Sequence, residues 1–341
     1  MTPQGPWLPA GEHEQPEYTL RAALKISSNR AAAQLLQLVG FSTTSYYAQR
    51  LGIASKLPSV PSLALGTGGV TLFELTSAYG VFANEGVSVT PRLITRVEDR
   101  QGRMLWDSQP ARSAVLSKAT AFLMNSMLAD VISSGTATPV RANGFKLPAA
   151  GKTGTTDDYS DAWFIGYTPH LVAGVWFGMD RPARIMNRGF ASIVAVPAWA
   201  QFMKQATEGD KPDWYGMPPD VEKVAICRLS GLRATDACRL GWLGANDVEA
   251  GVTQLPGGGA DGFVESAPVA TDQPTAGVFE DYFPIGIVPS ELCPMHSAGS
   301  RGVIESDSIG TAPATGSDST RLYVDRIRRS DGTLHFIVRQ R

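Results

Sequence analysis

Up to about residue 208 apolar positions recur with helical or strand spacing; beyond it glycine, proline, serine and aspartate rise and the period fades. Thr19 opens a helical stretch through Ile26, and a second runs from about Asn29 to Val39, with Leu35, Leu36 and Val39 on one face and Gly40 as its stop. Ser62 to Gly69 reads as a loop. Thr71-Leu72-Phe73-Glu74 is a capping box for a helix that ends near Asn84-Glu85-Gly86. Ser117 starts another helix through Phe122, Leu123, Met127 and Val131, stopping at Gly135. The spacing then changes: Lys152–Thr156, Ala162–Thr168 and Leu171–Gly178 predict three strands in an antiparallel meander, the last two joined by Pro169-His170. Pro197 marks the start of a helix whose Trp199, Phe202, Met203 and Ala206 supply an apolar face for the sheet.

This pattern predicts an α+β domain over 1-208, an antiparallel sheet flanked by helices. A Cys-bearing extension follows over 209-245. A linker rich in Gly, Pro, Ala, Ser and Asp runs over 246-320, with a short ordered patch near 279-296. A β-hairpin closes the chain over 321-341, its strands around Ser330-Asp331-Gly332. Arg321, Arg326, Arg328, Arg329 and Arg339 lie along it, read as a solvated face that protects edge strands.

Composition narrows the classes. The 341 residues are 43% hydrophobic and 18% charged, with a formal net charge of -2, so no nucleic-acid footprint is present. The longest apolar run, Leu171 to Met179, is about half of what a membrane span needs. Met1 to Tyr18 holds four prolines and three glutamates and reads as neither a signal peptide nor an anchor. Cys227, Cys238 and Cys293, with His296, could be written as a Cys3His zinc set, but the paired Cys-x-x-Cys spacing is missing. The favoured reading is one disulfide, Cys238 to Cys293, worth ~2–4 kcal/mol in an oxidising compartment, with Cys227 left over. No cofactor and no metal is expected.

Three short features carry candidate chemistry. Ser27-Ser28-Asn29 lies at a helix junction, where Ser and Asn usually cap, a contact worth ~1 kcal/mol. Gly154, inside the first strand of the meander, is weak for packing and marks a place where another backbone can approach closely. Lys152, read alone, is a strand-edge lysine. The glycines of Gly66-Thr67-Gly68-Gly69 lack the Gly-Lys-Ser/Thr of a phosphate loop and are a turn before the capped helix.

Taken in order, Thr19-Leu20-Arg21-Ala22-Ala23-Leu24 with Ser27-Ser28-Asn29, Pro61-Ser62-Leu63-Ala64-Leu65-Gly66, Ser77 to Gly86, Ala150-Gly151-Lys152-Thr153-Gly154-Thr155-Thr156 and Asp161 to Tyr167 are similar to one family. From about Trp7 to Thr207 the chain resembles the transpeptidase domain of class A penicillin-binding proteins. That family carries a third motif, the Ser-x-x-Lys nucleophile, and no serine here has a lysine three positions on. With twenty-six residues ahead of Ser27, the resemblance implies a domain incomplete at its N-terminus, its nucleophile helix, first strands, glycosyltransferase domain and membrane anchor lying upstream.

The resemblance further implies the roles. Ser27 would pass a proton toward the leaving amine, Asn29 would bind the substrate's backbone amide, and Lys152 would bring positive charge to its carboxylate. Thr153 and Thr155 would offer hydroxyls to that carboxylate, Gly154 would let the substrate lie along the strand, and the Thr155 N–H would form half of an oxyanion hole. The implied substrates are peptidoglycan stem peptides and β-lactams, the implied site the periplasm or outer face of the inner membrane. The expected function is a serine D,D-transpeptidase domain, inactive as this chain, with self-association through uncovered apolar faces. The alternative is a non-catalytic module for cell-wall binding or assembly.

Overall fold

The computed structural model describes residues 9, 18–227, 230–240, 277–294, 322–328 and 334–340. Two compact units divide between Pro218 and Pro219. The first begins with three helices, α1 (Leu20–Ile26), α2 (Asn29–Val39) and α3 (Phe41–Leu51), then a 3-10 turn (Pro61–Leu65) and α4 (Leu72–Ala83). Four short strands follow, β1 (Val87–Val89), β2 (Arg96–Glu98), β3 (Met104–Asp107) and β4 (Arg112–Ala114), pairing β1 with β4 and β2 with β3. Next come α5 (Lys118–Ser134), α6 (Pro139–Ala142), β5 (Ala150–Thr155), β6 (Ala162–Tyr167), β7 (Val172–Phe177) and α7 (Ala191–Ala206). The meander is antiparallel in the order β5-β6-β7, as its spacing predicts.

The core forms on both faces of this sheet, because β6 is buried along almost its whole length. On one face Phe164 and Ala173 pack against α7 through Ala195, Val196, Trp199 and Met203. Trp199 meets Phe164 and Phe145 edge-on, at 5.1 and 5.3 Å, and its indole N–H donates to the Ala173 carbonyl at 3.0 Å. Both ends of the side chain are satisfied, so truncation there costs on the order of 3–5 kcal/mol. On the other face Tyr167 joins Leu128 of α5 and Tyr79 and Phe82 of α4. Its hydroxyl donates to the buried Asn125 Oδ1 at 2.6 Å, and Asn125 Nδ2 donates to the Phe82 carbonyl at 3.0 Å. Burial without a charged partner pushes the Tyr79 phenol up to about 12 and raises Tyr167 as well.

Local signals explain most boundaries. Thr19 caps α1 by accepting from Ala22 N–H, Ser28 caps α2 through Ala31 N–H, and Ser117 caps α5 through Thr120 N–H. The capping box at α4 is complete, and Glu74 does more than close it. Its carboxylate also accepts from Ala54 N–H, Ser55 N–H and the Ser55 hydroxyl, at 2.9, 2.8 and 2.7 Å. The bond from Thr71 N–H and those from Ser55 hold it down at about 2.

Three expectations for the first unit need correction. Pro197 is not at a helix start but seventh in α7. Buried Ala191, Ala195 and Val196 pull the segment into the helix ahead of it, and Thr155 Oγ1 accepts from the Ala191 N–H at 3.0 Å. On the same helix Phe202 is 53% exposed and Ala206 is exposed too, so the packed face is narrower than its apolar residues suggest. On α2 only Ala33 and Leu36 are buried, while Leu35 and Val39 face outward.

The second unit contains β8 (Val221–Cys227), α8 (Asp236–Leu240), β9 (Val278–Pro284), β10 (Leu322–Arg328) and β11 (Leu334–Gln340). β8 pairs with β9, and β10 with β11 as the hairpin signal predicts, both antiparallel. Most of the expected linker, His296 and the turn at Ser330-Asp331-Gly332 lie outside the described residues. The favoured disulfide does not form: Cys227, Cys238 and Cys293 are all buried and none is joined to another by a disulfide. Cys227 is not left over, because the end of β8 delivers it to the other two. Among the described residues no helix is long and apolar enough to cross a membrane.

Candidate active site

The site forms where the C-terminus of α1 meets β5. Two devices fix α1 on α5: Arg21 donates to Asp130 at 2.7 Å and to Ser126 at 3.0 Å. Where α5 stops, Thr136 N–H donates to the Lys25 carbonyl at 3.3 Å. A Cβ on Gly135 would lie 2.5 Å from that carbonyl, so only glycine permits this approach. The last turn of α1 is thereby held against the segment leading into β5.

Ser27 ends α1 in a left-handed conformation, φ 60 and ψ 46, its N–H donating to the Leu24 carbonyl at 3.2 Å. This is unusual for a residue with a Cβ and costs on the order of 1 kcal/mol. It turns the chain sharply into α2, with Ser28 buried as the cap, Asn29 as the first helical residue and Ser27 exposed. The Ser27 hydroxyl accepts from Lys152 Nζ at 2.7 Å, and the same ammonium donates to the Thr153 carbonyl at 3.0 Å. Lys152 keeps part of its side chain in solvent, and among the described residues its ammonium bonds only to neutral oxygens. Desolvation pushes it down to about 8 from an ordinary 10.5.

The rest of β5 continues the wall. Thr153 and Thr136 share a hydroxyl–hydroxyl bond at 2.6 Å. Among the described residues Thr155 Oγ1 is engaged as an acceptor, from Ala191 N–H, which leaves its proton to donate elsewhere. Among the described residues no strand pairs with β5 on the side away from β6. The glycines of the sheet differ in a telling way. A Cβ on Gly151 would meet the Ile165 carbonyl at 2.7 Å, one on Gly166 the Trp199 ring at 2.7 Å, and one on Gly174 the Thr76 hydroxyl at 2.1 Å. At Gly154 the nearest atom is Trp163 Cβ, at an ordinary 3.5 Å, so packing among the described residues does not require that glycine.

Ser27, Lys152 and Thr153 are therefore brought together, and Gly154 and Thr155 extend the same strand. Asn29 lies two residues from Ser27 at the start of α2. Sequence reasoning missed Thr136, whose only signal is a hydroxyl following a helix-stopping glycine, and the role of Lys25 as a carbonyl anchor.

An α+β sheet of this kind, with helices on both faces, is shared with solved penicillin-binding proteins. Penicillin-Binding Protein 1A from Haemophilus influenzae superposes with a TM-score of 0.63 and 25% identity, over 80% of this chain and 41% of that one. PonA1 from Mycobacterium tuberculosis gives 0.52 at 23% identity, over 59% and 61%, a likeness of fold. In sequence, residues 2–180 match the family described as the penicillin binding protein transpeptidase domain. Penicillin-binding protein 1A of Aquifex aeolicus (strain VF5) is 39% identical over 234 residues, covering 68% of this chain and 32% of that protein. The namesake from Neisseria gonorrhoeae is 36% identical over 209 residues, covering 60% and 26%. The chain belongs to the penicillin-binding protein transpeptidase family, and within it to the class A kind. It spans about a third or less of the length of these two relatives.

Proposed function

We propose that this chain forms two walls of a serine acyl-transfer cleft, the Ser-x-Asn corner and the Lys-Thr-Gly strand of a peptidoglycan D,D-transpeptidase. The observation that carries this reading is the 2.7 Å bond between Lys152 Nζ and Ser27 Oγ. In the reaction, a serine nucleophile attacks the penultimate D-Ala carbonyl of a stem peptide, or the carbonyl of a β-lactam, to give an acyl-enzyme. Ser27 relays the proton to the departing amine, for which its hydroxyl is already in a hydrogen-bonded chain. Asn29 binds the substrate's backbone amide. Lys152, still mostly protonated at neutral pH with a value of about 8, attracts the substrate carboxylate through a charge-assisted bond, the stronger kind. The free Thr155 proton serves the same carboxylate, and the open border of β5 at Gly154 takes the extended peptide as an added strand.

This sequence contains no Ser-x-x-Lys, so the isolated chain is read as binding but not acylating. Loss of the nucleophile from a serine hydrolase costs roughly 10⁶ in turnover. The cleft would act on the periplasmic side of the inner membrane, where its polymer lies. Two measurements on the chain test this. Incubation with a fluorescent penicillin is expected to leave no covalent label; one label per chain would overturn the inactivity. Titration with a D-Ala-D-Ala peptide, followed by NMR, is expected to shift Lys152, Gly154 and Thr155 amides with a Kd on the order of 1 mM. Shifts elsewhere, unaffected by Lys152→Ala, would overturn the cleft.

A further inference from the structure

The second compact unit gathers every cysteine of the chain at one point. The sulfurs of Cys227, Cys238 and Cys293 all lie within 4.8 Å of one another, and all three residues are buried. They come from three separate segments, and main-chain bonds set the meeting. Gly231 N–H donates to the Cys227 carbonyl at 2.9 Å and Cys227 N–H to the Leu232 carbonyl at 2.8 Å, a tight turn at the end of β8. Arg233 then bridges to Ile226 on one side and Leu292 on the other, and Cys293 N–H donates to its carbonyl at 2.8 Å. Cys238 N–H donates to the Thr235 carbonyl at 3.0 Å, while Thr235 N–H donates to Cys238 Sγ at 3.3 Å.

Ordinary packing does not account for this cluster. Among the described residues its buried members are the three cysteines, with Ala234 and Val278 packed against them. The described secondary structure beside it is a two-stranded ladder and a five-residue helix. Ladders of that size are marginal in water without a staple. A disulfide would use two sulfurs and exclude the third, whereas here each is near both others. Tetrahedral zinc with Zn–S of about 2.3 Å requires sulfurs about 3.8 Å apart, inside the 4.8 Å limit within which these three lie. The amide bond to Cys238 Sγ is the kind that supports a metal-bound thiolate.

We propose that Cys227, Cys238 and Cys293 bind one zinc ion through three thiolates, as a structural clasp for the second unit. Each thiol gives its proton to solvent as its sulfur binds, and the fourth position is left to a nitrogen or oxygen donor. The site is independent of the transpeptidase cleft, so its failure would leave that reading untouched.

The test uses the full chain purified with a reductant and without added metal. Elemental analysis is expected to give about one zinc per chain, unchanged in Lys152→Ala and lost in Cys238→Ser. To separate loss of zinc from loss of fold in the serine variant, the wild-type chain supplies a second readout. All three thiols are expected to resist alkylation as isolated and to react after zinc is chelated, and cobalt in place of zinc is expected to show thiolate-to-metal charge transfer. Substoichiometric zinc with three freely reactive thiols would overturn the proposal. So would a disulfide between any two of these cysteines in chain alkylated at the moment of cell lysis.

Discussion

Lys152 Nζ donates to Ser27 Oγ at 2.7 Å although 125 positions separate them in sequence. The contact joins a strained helix end to the outermost strand of the meander. It is held from behind by the Arg21–Asp130 ion pair and by the bond from Thr136 N–H to the Lys25 carbonyl. Neither partner is free to move without disturbing the packing of α1 on α5.

The buried ammonium should be visible in the pH dependence of stability. The folded value of Lys152, about 8, lies below the ordinary 10.5, so between these pH values the unfolded chain holds more protons and stability rises with pH. Below about 8 both states are protonated and the full cost of the desolvated charge is present. Lys152→Met is expected to raise Tm at pH 7 by about 3 °C and to remove this rise, as checked by thermal melts across pH 7 to 10.5. The same variant is expected to lose binding of the D-Ala-D-Ala peptide.

Ser27 pays a conformational penalty to present its hydroxyl, and two substitutions separate the parts. Ser27→Ala keeps the Cβ at φ 60 and loses the bond to Lys152; Ser27→Gly loses the bond but relieves the backbone. Denaturant unfolding is expected to find the glycine variant more stable than the alanine variant by about 1 kcal/mol. Equal stabilities would mean that the left-handed turn carries no strain.

Gly154 and Gly166 sit on neighbouring strands but answer to different constraints. Gly166→Ala drives a methyl group into Trp199 and is expected to cost about 1–3 kcal/mol by thermal unfolding. At Gly154 an added Cβ meets Trp163 Cβ at 3.5 Å, so Gly154→Ala should leave Tm nearly unchanged while weakening peptide binding. A large loss of stability at Gly154 would return that glycine to the packing residues.

Acid should act on Glu74. Its folded value of about 2 is depressed from 4.5, so its contribution is fully present above pH 4.5 and is lost as pH falls through about 2. The difference in Tm between wild type and Glu74→Gln is expected to shrink over that interval, and the amides of Ala54 and Ser55 to exchange faster in the variant.

Leu35, Leu38, Val39, Phe73 and Ile193 are exposed large apolar side chains on α2, α4 and α7. Sedimentation velocity is expected to show mass increasing with concentration, as exposed apolar surface of this extent favours association. A sharp, reversible, monomeric melt would count against it.

Much of this was legible before any coordinates. The caps at Thr19, Thr71 and Ser117 and the glycines at 40 and 135 announce helix ends through local chemistry, and the meander is written in its spacing. What stayed hidden lacked a local signature. α3 buries none of its residues, and its Ser, Thr and Tyr content is weak for a helix. The strands β2, β3 and β4 are exposed throughout and show no alternation. Pro197 misled because packing of its preceding turn outweighs the lost amide. The motif pair Ser27 and Lys152 was readable as two fragments, but their contact depends on α5 lying between them. The cysteine cluster is beyond sequence for the same reason: its members are assembled by a turn, a bridge and a short helix.

Among the described residues one side of β5 has no strand beside it, and this has a consequence for anyone handling this chain. Proteins commonly blunt such borders with proline, inward charges or a covering loop. Here any such guard would obstruct the very ligand the strand is proposed to receive. Engineering for solubility along residues 150–155 and retaining recognition are therefore opposed aims, and stickiness toward stray extended polypeptides comes with the chemistry.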